Sequence, residues 1–260
     1  MKKTLIKEGT FSFPERINSL VFGKPLYDSS SSPEARVCFS EAAGGIFIKR
    51  AAKGSLKKEA EMTDCFNRLG LAPCVIDYFT ADFDYLLTAR AEGEDATHFT
   101  SDPKWLSRFM GQKMRELHDT APSLQIPVKN RTGDYLALAE ENYKRGIFDG
   151  GISISGKRYT DASSAYADLA RYRGELNSDC LIHGDYCLPN IIINKRKLSA
   201  YVDLGGAGMG DRHIDLFWGI WTLNFNLGTF DYTDELLDAY GRDKVNPNAL
   251  IAIAAAECFG

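Results

Sequence analysis

Hydrophobic and polar positions follow two regimes that meet near residue 91. Up to residue 90 the apolar runs are short: 21–23, 35–39, 45–49, 74–78 and 85–88. Runs of this length, broken by polar and turn residues, predict β-strands. In 45–49 the period of two sets Phe47 and Lys49 on one face and Ile46 and Ile48 on the other. One segment departs from the strand regime. Residues 55–68 carry Leu56, Met62 and Phe66 at loose helical spacing, with Leu69 beyond and Gly70 to stop the helix. After residue 91 the spacing becomes helical. Residues 105–118, 133–143, 163–176, 234–240 and 249–259 each predict a helix, and 217–223, with Trp218 and Trp221, predicts a buried one. His118 at a helix end reads as a complement to the helix dipole. Residues 150–156 (GGISISG) predict a loop, as do 27–33 (YDSSSSP), whose hydroxyls and N–H groups suit phosphate oxygens. The pattern predicts an α+β fold in two domains, a strand-rich 1–91 and a mainly helical 92–260.

Composition adds exclusions. With 44% hydrophobic and 25% charged residues the chain can fill a core. No apolar run approaches the roughly 20 residues that cross a bilayer. The start, MKKTLIKEGTF, has no apolar segment behind its lysines and reads as no signal peptide. The six cysteines lack zinc or redox spacing and fit reduced thiols in a cytoplasmic protein. A net charge of −4 argues against a nucleic-acid partner. The charge is uneven: residues 1–91 hold 13 Lys+Arg against 11 Asp+Glu, and residues 92–260 hold 18 against 24. That split suits a nucleotide on the basic half and a cationic small molecule on the acidic half, and ordinary surface solvation equally well.

The chemistry concentrates in 181–205, LIHGDYCLPNIIINKRKLSAYVDLG. Asp185 is followed five residues later by Asn190. The apolar runs 191–193 and 198–202, split by Asn-Lys-Arg-Lys, predict a hairpin that returns Asp203 beside Asn190. Asp, then Asn at five residues, then Asp-x-Gly is the order of a kinase catalytic segment. One carboxylate takes the proton of an attacking hydroxyl, and a second carboxylate with an amide holds Mg²⁺ on the phosphates. Upstream, Lys49 closes an apolar strand and suits ATP phosphates, and Phe47 beside it suits a purine ring. Glu59 or Glu61 could lock that lysine; Glu59 lies nearer the apolar stripe. Small residues at 89–94 suit a lobe connection whose backbone meets an adenine edge. Glu257, at an acidic chain end, suits the cap of a cation pocket.

HGDYCLPN followed by DLGGAGMGDRHIDL resembles the aminoglycoside phosphotransferases, within them the aminoglycoside 3′-phosphotransferase group. The similar layout covers nearly the whole chain and implies the two-lobed protein-kinase-like fold. By position the resemblance implies Asp185 as base, Asn190 and Asp203 as Mg²⁺ ligands, and Lys49 on the phosphates with Glu59 behind it. It further implies Phe47 on adenine, Arg90 and Ala91 at the adenine hinge, and Glu257 on aminoglycoside amines. The implied donor is ATP, with GTP left open, and the implied partner is a cationic aminoglycoside. Three positions depart from the group. Gly206 stands where an arginine is frequent, Ala256 where an aspartate is frequent, and Gly260 lengthens the end by one residue. The alternatives are a kinase of the same fold acting on another amino sugar, an amino alcohol or a macrolide, and a nucleotide-binding pseudokinase.

Overall fold

The computed structural model describes residues 4–6, 13–120, 125–150 and 158–260. Most of the loop expected at 150–156, and much of the start read for a signal peptide, lie outside the described residues. The chain divides into two compact units, residues 1–95 with 192–205 and residues 96–191 with 206–260. The strand-rich and helical halves of an α+β chain are present, one in each unit.

The first unit begins with β1 (Thr4–Leu5), α1 (Glu15–Val21), β2 (Leu26–Asp28), β3 (Ala35–Ser40) and β4 (Ile46–Ala51). It continues with α2 (Lys57–Arg68), β5 (Val75–Thr80), β6 (Asp84–Ala89) and β7 (Glu94–Asp95). Six strands form one sheet in the order β1-β2-β3-β4-β6-β5. Alternation along β4 decides which helix meets which face. Ile46 and Ile48 are buried with Phe13, Ile17 and Val21 against α1. On the opposite face Ala51 and Leu86 pack with Leu56 and Ala60 of the α2 side. Lys49 sits opposite Leu86 in the β4–β6 register, so it shares the face that α2 covers. Burying a side chain such as Ile48 contributes about 1.5–3 kcal/mol.

Two readings of this region change. Residues 21–23 are not a strand: Val21 ends α1, and Phe22 is 89% exposed. Ile17 and Val21 lie four apart on the buried face of α1, and Phe13, just before the helix, packs into the same cluster, which outweighs the short apolar run. In 27–33, Tyr27 and Asp28 belong to β2 and pair with Phe39 and Cys38. The Ser31 and Ser32 hydroxyls accept the Val37 and Ala35 N–H groups, so they brace the turn itself.

The N-cap of α2 is Leu56, whose side chain makes no cap bond. Buried Asp84 of β6 supplies one, accepting the Leu56 N–H at 3.1 Å while Thr80 and Tyr78 donate to it. A cap that comes from a distant strand gives no local signal in the sequence.

The second unit opens with α3 (Pro103–His118), α4 (Arg131–Lys144), α5 (Ala162–Tyr172) and β8 (Cys180–Ile182). The chain then forms β9 (Ile191–Asn194) and β10 (Lys197–Tyr201), the expected hairpin. Lys195 and Arg196 turn it with φ of 50° and 61°, the left-handed pair that matches strand twist. β9 pairs with β7, which brings 192–205 into the first unit. The chain returns to the second unit as β11 (Gly208–Gly210), α6 (Arg212–Leu227), α7 (Thr233–Tyr240) and α8 (Pro247–Glu257). Asp102, Asn130, Asp161, Asp211 and Asn246 each accept a first-turn N–H at their helix starts. Each such cap contributes about 1 kcal/mol. Not all of 217–223 is interior: Phe217, Ile220 and Leu223 are buried, while Trp218 and Trp221 are only half-buried. The chain end is packed, with Phe259 against Tyr143 and Phe148 and its carbonyl accepting from Asn142.

Candidate active site

In the first unit the strand period and the hairpin bring three charged groups together. Lys49 Nζ donates to Glu59 Oε1 and Oε2 at 2.9 and 2.8 Å, and to Asp203 Oδ1 at 2.7 Å. Glu59 faces inward from α2 and is buried, whereas Glu61 is exposed and lies near Lys57. Of the two candidate glutamates, Glu59 is the lysine's partner. Burial works against the Lys49 ammonium, but Glu59 and Asp203 outweigh it and hold Lys49 above the ordinary lysine value. Asp203 sits at φ 59°, a left-handed conformation that Asp tolerates better than most residues.

Phe47 shares the Lys49 face, half-buried, its ring 5.0 Å from that of Phe39. Arg90 follows β6 and donates its N–H to the Gly45 carbonyl at 3.0 Å. Ala91 comes next and is half-buried.

In the second unit the loop after β8 carries Asp185 and Asn190. The Asn190 amide donates to the Asp185 carbonyl at 3.0 Å and to Asp185 Oδ2 at 2.8 Å. A spacing of five residues thus lets one side chain orient the other. Gly184 has φ 80°, and a Cβ there would lie 1.9 Å from the Gly206 carbonyl oxygen. Only glycine fits. The same packing bears on Gly206, where a Cβ would lie 3.0 Å from the Gly184 backbone.

Glu257 lies within α8, 5% exposed. Tyr135 of α4 donates its hydroxyl to Glu257 Oε1, and Trp218 of α6 also hydrogen-bonds the carboxylate. Burial lifts its pKa to about 7; the Tyr135 and Trp218 bonds pull down, and the Asp185 charge pushes up.

Sequence reasoning missed the frame behind Asp185. Fully buried Asp215 accepts the His183 and Gly184 N–H groups at 2.8 and 2.7 Å. His118 bonds Asp215 through Nε2 at 3.0 Å and the Tyr240 hydroxyl through Nδ1 at 2.8 Å. His118 ends α3 as expected, and its ring also forms a buried bridge between α6 and α7. The one available signal is the spacing of Asp211 and Asp215, four residues apart, which suits a cap and a helix start. Asp211 is that cap; Asp215 turns inward one helical turn later.

The sequence matches the family described as Phosphotransferase enzyme family (APH) over residues 35–250. It is 38% identical to a probable aminoglycoside 3′-phosphotransferase of Lactococcus lactis subsp. lactis (strain IL1403), over 95% of each chain. It is 29% identical to the streptomycin 3″-kinase of Streptomyces griseus, over 55% of this chain and 56% of that one. Among solved structures, aminoglycoside phosphotransferase APH(3″)-Id from Streptomyces rimosus ATCC10970 shares the fold. Its TM-score is 0.71 at 22% identity, covering 94% of this chain and 96% of that one.

Proposed function

This chain belongs to the phosphotransferase enzyme family, and from that premise we propose that it moves the γ-phosphate of ATP to a hydroxyl of an aminoglycoside, the 3′-hydroxyl first among them. The acceptor oxygen attacks the γ-phosphorus, the bond from that phosphorus to the bridging oxygen breaks, and ADP leaves. Asp185 takes the hydroxyl proton. Its carboxylate is oriented by Asn190, and its loop is fixed by Asp215. Lys49, held by Glu59, binds phosphate oxygens. Phe47 packs on the purine, and the backbone at Arg90 and Ala91 meets its edge. Glu257 attracts the cationic acceptor. Positioning and charge neutralisation supply most of the catalysis.

The chemistry of each donor, taken by itself, fits Mg²⁺. Asn190 gives its Nδ2 to Asp185, which leaves its amide oxygen as an acceptor, and Asp203 offers a half-exposed carboxylate. Both are hard oxygen donors, and Mg²⁺ characteristically takes one or two protein ligands and completes its shell with phosphate and water. Bound there, the ion would neutralise phosphate charge. The reading is carried by the ammonium of Lys49, clamped by Glu59 beside the carboxylate of an Asp-x-Gly turn. Among the described residues no helix is long and apolar enough to cross a membrane. We place the activity in the cytoplasm, where ATP is available and modification of the drug gives resistance.

A second reading keeps the chemistry and changes the acceptor to another amino sugar, an amino alcohol or a macrolide. It is favoured by Glu257, whose carboxylate is already engaged by Tyr135 and Trp218, and by Ala256 beside it. Incubation with kanamycin and Mg-ATP, followed by locating the product phosphate by NMR, separates the two. Phosphate at the 3′-oxygen supports the first, and no product with kanamycin or neomycin overturns it. Asp185→Ala is expected to lower turnover about a thousandfold while ATP still binds; undiminished turnover would remove Asp185 from its role.

A further inference from the structure

Two neighbouring faces of α6 differ in what they touch. One holds the Asp185 loop: Asp215 accepts the His183 and Gly184 N–H groups, and Thr222 accepts the Leu188 N–H at 3.2 Å. The next carries Trp218, Trp221 and Phe225, spaced three and four residues apart and therefore in one stripe. Trp218 and Trp221 meet edge to face at 5.3 Å, and Trp221 and Phe225 stack at 5.1 Å. The stripe starts at the acceptor carboxylate, because Trp218 hydrogen-bonds Glu257. It becomes more exposed along the helix: the tryptophans are half-buried and Phe225 is 72% exposed.

We propose that Trp218, Trp221 and Phe225 form an outer acceptor subsite for a further amino-sugar ring of the substrate, one that stacks its C–H face on the aromatic rings. The inference rests on the aminoglycoside reading above. The stripe runs about 10 Å along the helix, longer than one pyranose ring. Its chemistry suits such a ring in two ways. Flat aromatic side chains offer large contact area to the apolar face of a sugar. Their π-faces attract an ammonium, tryptophan most strongly. The acidic balance of residues 92–260, 24 Asp+Glu against 18 Lys+Arg, draws the same polycation. An exposed phenylalanine stacked on a tryptophan is costly to leave in water, and an arriving ring covers it.

The test compares kanamycin, with three rings, and neamine, which lacks the third, in the wild type, Phe225→Ala and Trp221→Ala. Phe225 is exposed, so its truncation leaves folding intact even where Trp221→Ala does not. The ratio of KM for kanamycin to KM for neamine is expected to rise about three- to fivefold in Phe225→Ala. An unchanged ratio in a wild type that phosphorylates kanamycin overturns the subsite and leaves the aminoglycoside reading standing. So does a Phe225→Ala variant that changes only its sedimentation, which would assign the stripe to a second copy of the chain. If neither compound is phosphorylated, tryptophan fluorescence decides. Quenching by kanamycin that weakens in Phe225→Ala keeps the subsite and removes the transfer reading; no quenching removes both.

Discussion

Glu59 and Glu257 are two glutamates of nearly equal burial, 7% and 5% exposed, in opposite electrostatic situations. Glu59 faces an ammonium of its own chain, Lys49, at 2.8 Å. Glu257 is held by a phenol and an indole, donors without charge, and the Arg131 charge acts on it only as a lesser influence. A buried carboxylate costs much less when a cation accompanies it. The first unit supplies that cation within the fold. In the second, on the function proposed above, an amine of the ligand would supply it.

Removing the internal cation is the hardest test of this contrast. Lys49→Ala leaves Glu59 buried without its partner, and a loss of about 3 kcal/mol in unfolding free energy is expected. The loss should shrink as the pH falls and Glu59 takes a proton. Urea titrations at pH 8 and pH 5 measure it, and a loss under about 1 kcal/mol at both would erase the distinction.

Glu257→Gln should behave in the opposite way. Binding suffers, with KM for kanamycin raised about tenfold, or about 1.4 kcal/mol, while KM for ATP stays. Stability improves, and the sign follows from the pKa. The folded value of about 7 lies above the reference 4.5, so the fold prefers the neutral acid. The stability Glu257 contributes is complete below about pH 4.5 and is lost as pH rises through about 7. Glu257→Gln should therefore melt higher than the wild type at pH 8 and match it at pH 4; a lower melting point at pH 8 contradicts the comparison.

The smallest effect sharpens the contrast. On the role proposed for Glu257, its anion draws the acceptor's ammonium, so kcat/KM for the aminoglycoside should fall as pH drops through about 7. Tyr135→Phe removes a hydrogen bond that favours the anion, and it should move this limb to higher pH. An unmoved limb would mean that another group sets it.

What the sequence disclosed follows from the range of each interaction. The Lys49 face is a matter of strand period, and Asp185 with Asn190 one of local spacing, so both were legible. The hairpin was legible because Lys195 and Arg196 separate two apolar runs. Asp215, His118 and Tyr240 form one network across three helices, and no periodicity encodes a bond between residues a hundred positions apart. Residues 21–23 misled because three apolar or small residues in a row resemble a strand when the i, i+4 pair of Ile17 and Val21 is ignored. The tryptophans of α6 misled for a related reason: apolar composition predicts burial, but half of the stripe stays in reach of solvent.

The cap that Asp84 places on α2 has a mechanical side. If α2 swung away from the sheet, Glu59 would leave Lys49, and the Asp84 carboxylate would lose the Leu56 N–H. A charge-assisted bond of that kind contributes about 2 kcal/mol, to be added to the broken ion pair. The helix is pinned at its leading end by the same strand that lines up with the lysine. The ammonium and its counter-charge therefore behave as one welded part, built to stay engaged from one turnover to the next.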